Sequence, residues 1–128
     1  MFRCILAAAL VLSGTALQAQ EPEPLPVPAE GRQFWGLGAT GILCYRAPCP
    51  WRGVFRIAPD GTRSRPLSGD DLPGPPPLEA SAGDRARIEA AFTDPGCVVA
   101  EGHFRGGTLV VARIAGECRN WPDRPPAE

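Results

Sequence analysis

The chain holds one histidine, one tyrosine and no lysine, and beyond residue 19 it has no apolar run long enough to cross a bilayer. Each absence narrows what the protein can be. A lone histidine, His103, with no serine in a G-x-S-x-G elbow and with cysteines expected to pair, leaves few catalytic constellations, so the residues point away from an enzyme. Without a second hydrophobic segment, no membrane span is expected. All thirteen basic residues are arginine, in a chain rich in alanine, glycine and proline; the bias follows most simply from a GC-rich coding sequence and carries no nucleic-acid signal. No cysteine spacing matches a zinc knuckle, and the adjacent Asp70 and Asp71 lack the spaced oxygen ligands of a calcium loop. Neither metal nor cofactor is therefore expected, and Asp70 and Asp71 read as solvated loop charge.

The residues that are present begin with 1–19, which read as a secretory signal peptide. Arg3 supplies the positive start, Ile5 to Leu12 the apolar stretch, and Ala19 the small residue at the cleavage point. The stretch resembles the start of a lipoprotein signal at Leu12-Ser13-Gly14, but Thr15 stands where the lipid-bearing cysteine is required. The mature protein is expected to be soluble and periplasmic or secreted. Cys4 leaves with the leader, so Cys44, Cys49, Cys97 and Cys118 remain, an even number in an oxidising compartment. Of the three possible connectivities, Cys44 with Cys49 and Cys97 with Cys118 is preferred, because each pair is close in sequence and the second brackets a hairpin. A domain this small gains much from such staples.

Residues 20–32 alternate proline with acidic and apolar residues, the pattern of an extended, disordered tether. A Gly-interrupted apolar run from Phe34 to Tyr45 predicts a first strand and Trp51 to Ala58 a second. The turn residues Pro59-Asp60-Gly61 should return the chain as a third strand over Thr62 to Leu67. Leu72 to Leu78 carries four prolines and reads as a surface connection. A helix capped by Ser81 or Asp84 comes next, with Ala86, Ile88, Ala91 and Phe92 on its apolar stripe and Arg85, Arg87 and Glu89 facing away; Asp94-Pro95-Gly96 ends it. Cys97 to Phe104 and Thr108 to Ile114 form two strands about Arg105-Gly106-Gly107. Gly116 to Trp121 closes a domain spanning residues 33–121, and residues 122–128 read as a flexible tail.

The order of three strands, one helix and two strands resembles the OB-fold over residues 33–118, and implies a mainly β protein built as a five-stranded Greek-key barrel. An open sheet with the helix on one face fits the same element list. The C-x4-C-P segment from Cys44 to Pro50, together with the late Cys97-Val98-Val99 run, also resembles small exported bacterial proteins, a likeness that assigns no residue a role.

Two kinds of binding are compatible with these residues. Charge is uneven: residues 31–69 hold six arginines against Asp60 alone, while residues 70–101 hold seven acids against Arg85 and Arg87. In the OB-like arrangement, Tyr45, Arg46, Trp51, Arg52 and Arg56 lie along the ligand-facing strands and loops, where aromatics stack and arginines pair with anions. That makes an envelope binding module for an anionic or glycan ligand. Trp51, Phe55 and Ile57 are nonetheless expected to be drawn into core packing, with Tyr45 and Arg46 the more exposed. Alternatively, the segment Cys44 to Trp51, closed by a disulfide and stiffened by two prolines, is an inhibitor or adaptor loop for another exported protein. His103 and Glu101 share a face by alternation, but a strand-end histidine near solvent is the simpler reading.

Overall fold

The computed structural model describes residues 24–94 and 96–125; the expected signal peptide lies outside them, as do residues 20–23 of the expected tether, Pro95 and residues 126–128. The elements are β1 (Gln33–Ala39), β2 (Arg52–Ile57), β3 (Leu78–Glu79), α1 (Ala82–Thr93), β4 (Cys97–Arg105) and β5 (Thr108–Glu117). They form one five-stranded sheet in the order β2-β1-β4-β5-β3. The strand β1 is antiparallel to both β2 and β4, β4 and β5 form a hairpin, and β3 runs parallel to β5. This mixed sheet is open, with β2 and β3 at opposite edges, so the expected closed barrel is corrected to an open sheet with a helix on one face.

The correction has a local cause. Thr62 to Leu67, expected as a third strand, instead trails along the outer edge of β2 with irregular spacing: the amide of Ser64 donates to Arg56 O, that of Leu67 to Val54 O and that of Leu72 to Arg52 O. Pro66 cannot donate, and the Ser64 hydroxyl accepts the Arg56 amide at 2.9 Å in place of a carbonyl. The third strand is Leu78–Glu79, at the end of the proline-rich connection, where the Leu109 amide bonds Pro77 O. A proline serves at such an edge because it still offers a carbonyl.

Alternation along β1 builds two cores. Trp35 and Leu37 face α1 and pack with Val54, Val98, Ala100, Leu109, Val111 and the helix residues Ile88, Ala91 and Phe92. The Trp35 indole donates to Gly102 O at 3.2 Å and meets Phe104 edge-on, with centroids 4.9 Å apart. On the opposite face Phe34, Phe55, Ile57 and Val99 form a second cluster, covered by Leu25, Cys97, Ala115, Cys118 and Trp121. Segments near both chain ends thus cross the face that the helix leaves open.

These segments are held there by polar contacts as well. Within the expected tether, Leu25 packs on the second cluster and the Ala29 amide donates to Glu101 Oε1 at 2.8 Å. Within the expected flexible tail, Asp123 bridges Arg63: the Arg63 amide bonds Pro122 O and the Arg124 amide bonds Arg63 O.

Ser81 caps α1, its hydroxyl accepting from the Asp84 amide at 3.2 Å. The buried stripe is Ile88, Ala91 and Phe92, but Ala86 is exposed and Arg85, expected outside, is half-buried and donates to Leu78 O at 2.9 Å. That bond ties the first helical turn to the short edge strand β3. In the β4–β5 hairpin, Gly106 sits at φ +61°, as the tight turn demands. Cys97 and Cys118 staple the hairpin ends, and the Cys118 amide bonds Cys97 O at 2.9 Å.

Candidate functional site

The first strand ends at Ala39, not at Tyr45, and the segment after it carries the most exposed apolar side chains between β1 and β2. Thr40, 1 % exposed, makes the hinge. Its amide bonds Trp51 O at 2.8 Å, its hydroxyl donates to Pro50 O at 2.5 Å, and the same oxygen accepts from the Ile42 amide at 3.2 Å. The carbonyl of Thr40 takes the Arg63 guanidinium, which also pairs with Asp123 and lies over the Phe55 ring, its carbon 5.2 Å from the centroid. The chain entering the loop and the chain leaving it are fixed at one buried residue.

Beyond that hinge, the Cys44–Cys49 disulfide closes the loop, tying the exposed Cys44 to Cys49, which is buried against the body of the domain. Leu43 is 93 % exposed, Tyr45 is fully exposed, and Trp51 at the foot of the loop is 55 % exposed. Arg46 is exposed beside them. The expectation that Trp51 packs in the core is thereby corrected, whereas Phe55 and Ile57 are buried. Trp51 precedes β2 by one residue, and the loop rather than the sheet decides its direction.

The five residues expected to share a ligand surface separate into three places. Tyr45, Arg46 and Trp51 belong to the loop. Arg52 is consumed: its backbone amide, Nε and Nη2 all donate to Asp71, at 2.9, 3.1 and 2.6 Å, and Nη1 donates to Phe92 O at the end of α1. Hydrogen bonding to Arg52 holds the Asp71 carboxyl below its ordinary range, and the same contact raises the guanidinium. Asp71 is thus a clamp between β2, its flanking loop and the helix, not the solvated loop charge expected. Arg56 lies further along β2, opposite Trp35 in β1, and its Nε is buried without a hydrogen-bond partner among the described residues.

Glu101 is buried on β4 and engaged by the Ala29 amide and by Arg113 Nε at 2.6 Å. The Ala29 hydrogen bond, reinforced by Arg113, holds its carboxyl below the ordinary glutamate range against the opposing effect of burial. His103 is exposed and makes no hydrogen bond to it; the irregular pairing beside Glu101 adds Ala112 to β5 and leaves β4 regular, so the two share a face while Glu101 is taken by Ala29 and Arg113. Among the described residues no group of three His, Cys, Asp or Glu side chains is placed to hold a metal, and no helix is long and apolar enough to cross a membrane.

The sequence pattern alone does not single out Thr40, Arg63 or the clamping role of Asp71, nor the buried pairing of Glu101. A threonine just before Gly41, where the apolar run turns polar, is the local signal for the hinge; the other three are long-range partners with no local mark. The chain matches no family model, no curated protein and no solved structure.

Proposed function

We propose that this protein is an exported binding module that docks a second exported protein through the stapled loop from Gly41 to Trp51, with no catalytic step of its own. One observation carries the reading: Leu43 and Tyr45 project almost wholly into solvent from a loop whose base is buried and which is closed by a disulfide. Exposed apolar side chains on a constrained loop lose little freedom on docking, and tyrosine, tryptophan and arginine are the residue types that dominate interface energetics. Two disulfides and the leader-like first nineteen residues support an oxidising compartment. The sheet-surface reading, with an anionic or glycan ligand on Arg52 and Arg56, is less favoured because Arg52 is already paired with Asp71 and Phe55 is buried.

The test is a pull-down from an envelope extract with the oxidised protein and its Tyr45→Ala and Arg46→Ala variants, in high salt. One protein should be retained in near-equal amount on the parent, with affinity reduced about thirtyfold by Tyr45→Ala while the fold stays intact. Equal capture by parent and variants, or capture that high salt abolishes, contradicts the proposal.

A further inference from the structure

On the sheet face opposite α1, segments near the two chain ends enclose a cavity of about 390 Å³ remote from the stapled loop. Its floor is apolar, from Phe34 of β1 and Ile57 of β2, with Trp121 beside them, and the described N-terminal residues Pro24–Pro28 form a wall of pyrrolidine rings and the Leu25 side chain. Two arginines, Arg32 and Arg119, line the same space; Arg56 borders it from β2, but its place opposite Trp35 gives its side chain to the α1 face. Neither Arg32 nor Arg119 forms an ion pair among the described residues, unlike Arg52, Arg63, Arg105 and Arg113. The lining acid, Asp60, has its carboxylate occupied by the hydroxyl and amide of Thr62, at 2.7 and 3.0 Å, which hold it in the charged form. The balance is two unpaired cations to one occupied anion, over an apolar floor.

An anion entering the cavity brings oxygens to two guanidinium groups that have no ion-pair partner among the described residues. Cavities of this size that combine an apolar lining with a few polar groups fit ligands of small-molecule dimensions.

We infer that this cavity binds a small amphipathic carboxylate, its apolar body against Phe34, Ile57 and Trp121 and its carboxylate between Arg32 and Arg119. An apolar body alone leaves the arginines unused, and a free inorganic anion leaves the floor wet. The acid therefore distinguishes itself from its neutral analogue at this site. The inference does not depend on the loop, since Leu43, Tyr45 and Arg46 lie outside the cavity lining.

The probe is naphthalene-2-carboxylate, compared with naphthalene-2-carboxamide and with inorganic phosphate, titrated into the oxidised protein while the three tryptophan indole resonances are followed by NMR. Saturable binding of the carboxylate is expected, shifting the Trp121 indole signal and leaving that of Trp51 in place. The carboxamide should bind at least about tenfold more weakly, and phosphate should not compete. Arg119→Gln and Arg32→Gln, both at exposed positions where folding is not at stake, should each weaken the carboxylate by about tenfold. Absence of saturable binding, equal affinity for acid and amide, or unchanged affinity in both variants overturns the proposal.

Discussion

The ring of Phe55 lies directly over Gly36, its cross-strand partner in the β1–β2 pair, so that a Cβ at position 36 would stand only 2.2 to 2.7 Å from three ring carbons. The glycine is the seat of Phe55, with Phe92 one of the two largest fully buried side chains among the described residues, and ties the second core to the middle of the sheet. Gly36→Ala should therefore destabilise the fold by about 2–3 kcal/mol, the cost of overpacking a filled core, despite the better strand propensity of alanine. Chemical denaturation measures it. In the Phe55→Ala background the same substitution should cost far less, and equal costs in the two backgrounds rule out this contact as the cause.

The two disulfides should separate cleanly in their effects. Replacing Cys97 and Cys118 with serine opens a loop of 21 residues of sequence separation across β4 and β5 and should cost about 3 kcal/mol. Replacing Cys44 and Cys49 frees only the exposed loop, so the denaturation midpoint should move much less while partner capture falls. Comparable losses of stability from both pairs contradict this division of labour.

Acid stability should depend on Glu101. Its carboxyl is held low in the folded chain by the Ala29 amide and Arg113, so its contribution is fully present above the ordinary glutamate range and is lost as pH falls through the lowered folded value, from about pH 4 downward. Asp71, lowered by Arg52, adds a loss of the same sign. Thermal unfolding from pH 7 to pH 2.5 should show this decline. Glu101→Gln should flatten it, and a variant that retains the full slope removes Glu101 from the explanation.

Asp71→Asn should loosen three contacts at once, because the carboxylate serves the backbone and side chain of Arg52, which in turn holds the last turn of α1 at Phe92 O. The pair is partly exposed, so the loss of global stability should be modest and smaller than that of Gly36→Ala. Hydrogen exchange should reveal faster opening confined to the C-terminal turn of α1 and the start of β2. Uniform acceleration over the whole sheet contradicts a local clamp.

Much of the secondary structure is legible in the sequence because it rests on local chemistry. Ser81 as the helix cap, the Arg105-Gly106-Gly107 turn, and the pairing of cysteines near in sequence all depend on residues within reach of one another along the chain. The barrel is a misleading expectation because Thr62 to Leu67 carries turn residues before it and apolar or β-branched residues within it, while Pro66 removes the donor that a ladder needs. The two-residue β3 stands behind four prolines and is stabilised by its partner β5 rather than by its own sequence. Within the expected site, Tyr45 and Arg46 are exposed loop residues as their pattern suggests, whereas Arg52 is not readable as a clamp because Asp71 is nineteen positions away. Packing of Leu25 and Trp121 over Phe34 likewise depends on the sheet existing first.

The stapled loop as a docking element is the central claim, and the measurement that reaches it most directly is the affinity of the captured partner for the oxidised protein, for Tyr45→Ala, and for the paired Cys44→Ser and Cys49→Ser replacement. A docking loop predicts a loss of about thirtyfold in the tyrosine variant and a comparable loss on opening the disulfide, each with an unfolding midpoint close to that of the parent. Unchanged affinity in both variants contradicts it and moves the binding surface elsewhere on the fold.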